Sequence, residues 1–223
     1  MQTMWGGYTV DLNLIGSGAF GKVYKAYDSK GRQLAIKETS NREAARREAR
    51  VMQSYRSAEF LPRYYDYFEI GEKGYLVTEY IWGSTLGDDF HNTFTNKRDQ
   101  DVSVEITLNI LKGLRQLHKK GYIHNDVLPK NVMILHNKPE TVKVIDFNIA
   151  KEIVSPAVMK KELQDVCKMC AFLMNGTLAD IHKAEISDRN LRRVLLNPFD
   201  VDVNNKDRYL STDALIAALR PFC

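Results

Sequence analysis

The sequence predicts an α+β protein of two lobes, and three observations carry that reading. Residues Tyr8 to Tyr80 are mostly strand-like, while after Gly83 the apolar residues fall at helical spacing. The strand and helix patterns are also segregated along the chain, which argues against a doubly wound parallel sheet. The 223 residues suit a single domain over 1–223, with a first lobe at about 8–81 and a second at about 84–223, joined near Ile81–Ser84.

Taken in order, Thr9–Gly16 and Lys22–Asp28 read as strands flanking a glycine-rich turn. Asp28-Ser29-Lys30-Gly31 is a second turn, and Leu34–Glu38 a third strand. Over Asn41–Tyr55, charged residues surround Ala44, Ala45, Ala49, Val51 and Met52, the pattern of a helix with one apolar face. Strands at Tyr64–Ile70 and Tyr75–Tyr80 follow, joined by a Gly71–Gly74 turn. Val104, Thr107, Leu108, Leu111, Leu114 and Leu117 predict a helix over Ser103–Lys120 that Gly121 stops. Two β-branched runs, Asn131–Leu135 and Thr141–Ile145, bracket a turn at Asn137-Lys138-Pro139. Helical patterns then cover Val158–Asn175, Ser187–Leu196 and Ser211–Leu219. No internal repeat interrupts this order.

Composition narrows the function classes. Apolar residues make up 44% and charged residues 27%, and the net charge is +4, without the dense basic stripe of a nucleic-acid binder. No apolar run approaches the roughly 18–20 residues that span a bilayer, and Met1–Tyr8 lacks the basic start and apolar stretch of a secretory signal. No membrane and a cytoplasmic location are the expectations. Three cysteines, an odd number, argue against a disulfide framework. Cys167 and Cys170 form a C-x-x-C pair, but no second pair or suitably spaced histidines accompany it; two small apolar residues on one helix face is the better account.

Three groups of residues carry chemistry. Gly16-Ser17-Gly18-Ala19-Phe20-Gly21-Lys22-Val23 is a G-x-G-x-x-G-x-V loop between two strands, whose bare backbone can approach phosphates closely. A dinucleotide fingerprint would instead need a helix after the loop. In Leu34-Ala35-Ile36-Lys37, alternation puts Ala35 and Lys37 on one face, a small residue leaving room for a flat base beside a cation for phosphates. Glu48 and Glu43 compete as partner of that lysine, and Glu48 is preferred because Val51 and Met52 follow it at core-facing spacing. The third group is His124-Asn125-Asp126-Val127-Leu128-Pro129-Lys130-Asn131, followed by Asp146-Phe147-Asn148.

This ordered set, over roughly Leu14 to Ala150, resembles the eukaryotic-type protein kinases: the loop fits their H-x-D-x-x-x-x-N, and Val144-Ile145-Asp146-Phe147 fits the approach to D-F-G. The resemblance implies a bilobal kinase-like fold with a β-rich N-lobe and a shortened helical C-lobe. It implies ATP and Mg²⁺ as cofactors and a protein substrate or regulatory protein as partner. ATP would be held by Ile15, Gly16, Ser17, Gly18, Ala19, Phe20, Gly21 and Val23, by Ala35, Lys37 and Glu48, by the gatekeeper Thr78, by the Glu79–Ile81 backbone (Glu79 and Ile81) and by Met133. Asn131 and Asp146 would offer hard oxygen ligands to Mg²⁺. Asp126 would orient the attacking hydroxyl and accept its proton, an effect typically worth ~10²–10⁴-fold. His124, Phe147 and Met52 would be packing residues.

The chain also departs from the pattern. Asn125 stands where many kinases carry an arginine for a phosphorylated activation loop, and Ser155 is the one hydroxyl residue between Asn148 and Asp165. Leu128 replaces a phosphate-contacting lysine, with Lys130 as the compensating cation. Asn148 replaces the D-F-G glycine and is expected to tolerate a positive φ. Asp165 matches the helix aspartate that braces the catalytic loop, and Arg208 a late arginine whose A-P-E partner is missing. The shortened segment between Asp146 and Asp165 resembles small atypical kinases and short bacterial ones. The sequence therefore predicts a serine/threonine protein kinase; a small-molecule kinase of aminoglycoside or choline type, or a nucleotide-binding pseudokinase regulating a partner, are the alternatives.

Overall fold

The computed structural model describes residues 1–91, 95–200 and 209–223. They form two compact units, one of Met1–Ile81 with Asp146–Ile149, the other of Trp82–Ile145 with Ala150–Cys223. The architecture is α+β.

The first unit is one antiparallel sheet and one helix. Its elements are β1 (Gln2–Trp5), β2 (Tyr8–Gly18), β3 (Gly21–Tyr27), β4 (Gln33–Thr39), α1 (Arg42–Tyr55), β5 (Tyr64–Ile70) and β6 (Lys73–Glu79). The strand order is β1-β2-β3-β4-β6-β5. Gly6 and Gly7 both have positive φ between Trp5 and Tyr8, the geometry of a tight two-residue hairpin turn. The β1 edge strand was not expected from the sequence. It delivers Trp5 to the sheet core of Val10, Tyr24, Ala26, Leu34, Ile36, Tyr75 and Val77. There Trp5 meets Tyr24 edge-on at 5.1 Å, and Phe68 stacks on Tyr75 at 5.2 Å.

The second unit is mainly helical. It contains β7 (Ser84–Thr85), α2 (Gln100–His118), β8 (Tyr122–Ile123), β9 (Val132–Ile134), β10 (Lys143–Val144), β11 (Lys151–Glu152), α3 (Pro156–Asn175), α4 (Arg189–Leu196) and α5 (Thr212–Leu219). Buried residues surround α2, among them Val104, Ile106, Leu108, Ile110, Leu111, Leu114 and Leu117, as befits a helix packed on by α3 and α5. Short pairs β10-β9-β7 and β11-β8 hold the loops between helices. The strand expected over Thr141–Ile145 is reduced to β10, because Pro139–Thr141 turns as a 3-10 helix and the Thr141 hydroxyl bonds Leu135 N and Lys138 O at 3.0 and 2.7 Å. No helix among the described residues is long and apolar enough to cross a membrane.

Candidate active site

In the first unit, the alternation of β4 sends Leu34 and Ile36 into the core and Ala35 and Lys37 to the opposite face. Register then gathers neighbours there: Val23 and Leu76 lie opposite Lys37, and Thr78 opposite Ala35. The helix α1 begins at Asn41, whose side chain accepts from Ala44 N at 3.0 Å. Its apolar face buries Ala45, Ala49, Val51 and Met52, and Glu48 lies on that face, 4% exposed. Lys37 Nζ donates to Glu48 Oε2 at 2.8 Å and to Asp146 Oδ1 at 3.3 Å. Glu43 stays exposed, as the core-facing spacing predicts.

Burial pushes the Glu48 carboxyl up from its ordinary value, and the adjacent Lys37 ammonium pulls the other way. Its second oxygen, Oε1, accepts from Phe147 N at 3.2 Å. Phe147 itself is buried against Tyr55 with ring centroids 5.7 Å apart. Glu48 thus ties the lysine of the sheet to the backbone beside Asp146.

The positive φ of the Asp146-Phe147-Asn148 turn falls on Asp146, at 68°, and not on Asn148. The expectation for Asn148 is corrected accordingly. Its side chain bonds instead: Oδ1 accepts from Lys37 Nζ at 2.6 Å, and Nδ2 donates to Asp146 Oδ1.

The glycine loop turns at Ala19-Phe20 between β2 and β3, with Ile15, Ser17, Gly18, Ala19 and Phe20 exposed and Gly16 half-buried. Gly21, at φ 137°, is required by the fold, since a Cβ there would overlap the Glu38 carbonyl oxygen. Gly16 and Gly18 meet no such obstacle: a Cβ on Gly16 would rest in ordinary contact with Val23, and one on Gly18 in open space. Glu79 N donates to Arg63 O at 2.9 Å, and the Thr78 hydroxyl to Glu79 O at 3.3 Å, where the unit ends at Ile81.

In the second unit, buried His124 bonds Ile145 O through Nε2 at 2.9 Å and takes Asp126 N on Nδ1 at 3.3 Å. A carbonyl only accepts and an amide only donates, so Nε2 carries the proton. Asn125 sits at φ 66°, a conformation asparagine adopts more readily than arginine. Asn131 Nδ2 donates to both Asp126 O and Asp126 Oδ2, at 2.9 and 2.8 Å, which fixes the aspartate and leaves the amide oxygen as what Asn131 can offer a cation. Ile145 N donates to Asn131 O at 2.8 Å. Lys130 Nζ lies 3.8 Å from Asp126 Oδ2 with its side chain half exposed. Met133 lies on β9, opposite Thr85 and Lys143.

The brace of this loop differs from the expected one. Asp165 pairs with Lys161 and Lys168 of its own helix, at 2.8 and 3.2 Å. The loop is held by buried Glu162, whose Oε2 accepts from Asn125 N at 2.6 Å and whose Oε1 lies 2.5 Å from His118 Nε2. An acidic residue in register with apolar Val166, Met169 and Cys170 is the sequence signal that points to it. Arg208 lies outside the described residues.

The residues fit a magnesium-bound nucleotide. Among the described residues no group of three or more His, Cys, Asp or Glu could hold a metal; in the first unit the Asp146 carboxylate, one-third exposed beside Lys37, is an oxygen a cation can reach, and in the second the Asn131 amide oxygen is another. Few protein oxygens completed by phosphate and water is how Mg²⁺ is usually held. Cys167 and Cys170 are buried free thiols on α3, pushed well up by burial and, for Cys170, to about 12, as the packing account requires.

Residues 9–180 match the protein kinase domain. The chain is 34% identical over 150 residues to a "probable serine/threonine-protein kinase" of Streptomyces coelicolor, covering 62% of this chain and 22% of that protein. It is 27% identical over 190 residues to a serine/threonine-protein kinase of Saccharomyces cerevisiae, covering 82% and 23%. With myosin light chain kinase family member 4 of Homo sapiens it shares 30% over 151 residues, covering 65% and 38%. The chain thus spans between about a fifth and two fifths of the length of these relatives.

Proposed function

This chain belongs to the protein kinase family, and from that premise we propose that it transfers the γ-phosphoryl group of ATP to a serine or threonine hydroxyl of another protein. The observation that carries the proposal is Lys37 held 2.8 Å from Glu48 and 3.3 Å from Asp146. A cation anchored by a buried carboxylate next to a second, one-third exposed carboxylate suits a phosphate chain and its metal. The Gly16 and Gly18 backbone, where an added Cβ would meet no obstacle, supports the same reading, since bare backbone lets phosphates approach closely.

Lys37 would contact the inner phosphates, and the Asp146 carboxylate beside it would offer an oxygen to the metal; on the second unit the Asn131 amide oxygen would offer another. Bound Mg²⁺ supplies neutralisation of the charge spread over the phosphate oxygens. Asp126, held through its carboxylate by Asn131, orients the acceptor hydroxyl and takes its proton. Lys130 adds the cation that Leu128 does not. In the first unit the adenine is assigned to the face of Val23, Ala35 and Thr78, with the backbone at Glu79 and Ile81 as its hydrogen-bonding edge; Met133, on the second unit, is the residue the family resemblance adds. Serine/threonine specificity is supported by the names of the relatives, and a cytoplasmic setting by the reaction's need for ATP, which it consumes, and for magnesium, which it does not.

The test is γ-labelled ATP with the purified chain, alone and with generic protein acceptors, comparing wild type with Lys37→Ala and Asp146→Ala. Label on serine or threonine that both variants lose is the expected result. Label on small hydroxylated molecules without protein labelling would overturn the acceptor class, and no transfer by the wild type would overturn the enzyme.

A further inference from the structure

Lys37 has three N–H donors, and the chain itself supplies three acceptors: Glu48 Oε2 at 2.8 Å, Asp146 Oδ1 at 3.3 Å and Asn148 Oδ1 at 2.6 Å. The ammonium is therefore saturated without any ligand. Asn148 makes the shortest of the three bonds and is the one neutral partner. Its other amide atom, Nδ2, donates to the Asp146 oxygen that also receives Lys37. The orientation of this amide is dictated by chemistry, because lysine can only donate and an ionised carboxylate can only accept.

We infer that Asn148 is a latch on the ligand-free site, a positioning residue that fills one donor of Lys37 and one lone pair of Asp146 until nucleotide and magnesium displace it. The inference rests on the nucleotide reading of the site and adds a regulation to it. A phosphate oxygen reaching Lys37 must replace an acceptor already there, and Asn148 is the cheapest to replace. Giving up the neutral acceptor costs less than giving up a buried carboxylate. An inner-sphere cation on Asp146 Oδ1 must likewise evict the N–H that Asn148 points at it, since a metal ion and a hydrogen-bond donor compete for the same lone pairs. A glycine at this position has no side chain to evict. The asparagine therefore raises the magnesium concentration at which nucleotide is captured, while it keeps Lys37 and Asp146 together in the empty chain.

The experiment titrates magnesium against a fluorescent, non-hydrolysable ATP analogue with wild type, Asn148→Gly and Asn148→Ala. The alanine variant leaves the backbone unstrained, since Asn148 is outside the left-handed region. Both variants are expected to lower the half-saturating magnesium concentration about tenfold, the scale of one hydrogen bond to a charged group, and to melt below wild type without ligand. A purely structural role would lower the melting temperature and leave the magnesium midpoint in place. In the wild-type chain the Asn148 side-chain amide protons are expected to exchange slowly when empty and faster with magnesium and analogue, a measurement that needs no variant. An unmoved or raised midpoint with binding intact, or amide protection unchanged by ligand, would overturn the latch alone. No binding by wild type or variants at any magnesium concentration would overturn the nucleotide reading with it.

Discussion

Glu162 holds the backbone N–H of Asn125 at 2.6 Å with one carboxylate oxygen and His118 at 2.5 Å with the other. The pair is sealed from solvent on α3 and α2, and the far nitrogen of His118 reaches the Thr212 hydroxyl at 3.4 Å. A single side chain thereby pins a left-handed loop residue, one step before Asp126, to two helices of the same unit.

Replacing Glu162 by alanine removes at once the acceptor of Asn125 N and the partner of His118 Nε2. A cost of about 3–5 kcal/mol is expected from loss of one partner in such an arrangement. Glu162→Gln keeps one acceptor oxygen and should cost about 1–3 kcal/mol. Asp165→Asn keeps one acceptor oxygen and weakens pairs to Lys161 and Lys168, whose side chains are 64% and 37% exposed, and about 1 kcal/mol is expected. Urea unfolding followed by circular dichroism measures all three. Equal losses at Glu162 and Asp165 would defeat the assignment of the brace.

Glu48 poses the same question in the other unit. Glu48→Ala removes the shortest carboxylate partner of Lys37 and the carboxylate that accepts from Phe147 N, and a loss of about 3 kcal/mol is expected. Glu43→Ala, on the exposed face of the same helix, should stay within about 0.5 kcal/mol of wild type. Affinity for the ATP analogue should fall with the first and not with the second. A ranking in the opposite order would show that α1 presents a different face to the sheet.

The choice between Glu48 and Glu43 was legible because helical periodicity fixes which face a residue occupies, and Val51 and Met52 mark that face. The pairing of Ala35 with Lys37 followed in the same way from the period of a strand. Other features depend on partners far away in the chain. Strands β8 and β11 are two residues each and exist because Lys151 lies opposite Ile123, a pairing no local pattern encodes. Strand β1 did leave a signal, the Gly6-Gly7 pair between two aromatics. The backbone tolerance of Asn148 is legible in the sequence, but the turn places the positive φ two residues earlier and frees the side chain to bond Lys37. Asp165 offers the expected residue type, but the pitch of α3 turns Glu162, three residues earlier, toward the loop.

The three thiols should divide by exposure. Cys167 and Cys170 are wholly buried and raised far above neutrality, so the thiolate needed for reaction is scarce and shielded, while Cys223 is exposed. Ellman's reagent at neutral pH is expected to titrate one thiol in the native chain and all three in denaturant. Rapid reaction of two or three native thiols would reopen the redox reading of the C-x-x-C pair.

Alkaline pH should loosen the six-stranded sheet through its phenols. Tyr8, Tyr67 and Tyr75 are each pushed up to about 12, by burial first and then by the carboxylates of Asp66, Glu69 and Glu38 that their hydroxyls donate to. A folded-state value above the unfolded value of 10 means that the native chain binds these protons more tightly. The stability they contribute is complete below pH 10 and is lost as pH climbs through about 12. Tyrosinate absorbance is therefore expected to show these three phenols ionising late and together with unfolding. Tyr67→Phe should lower stability below pH 10 and make its fall between pH 10 and 12 shallower, because a phenyl ring neither donates to Glu69 nor has a proton to lose. Were all eleven tyrosines to titrate near 10 while the fold persists, the carboxylate contacts of the sheet could not be what holds these protons.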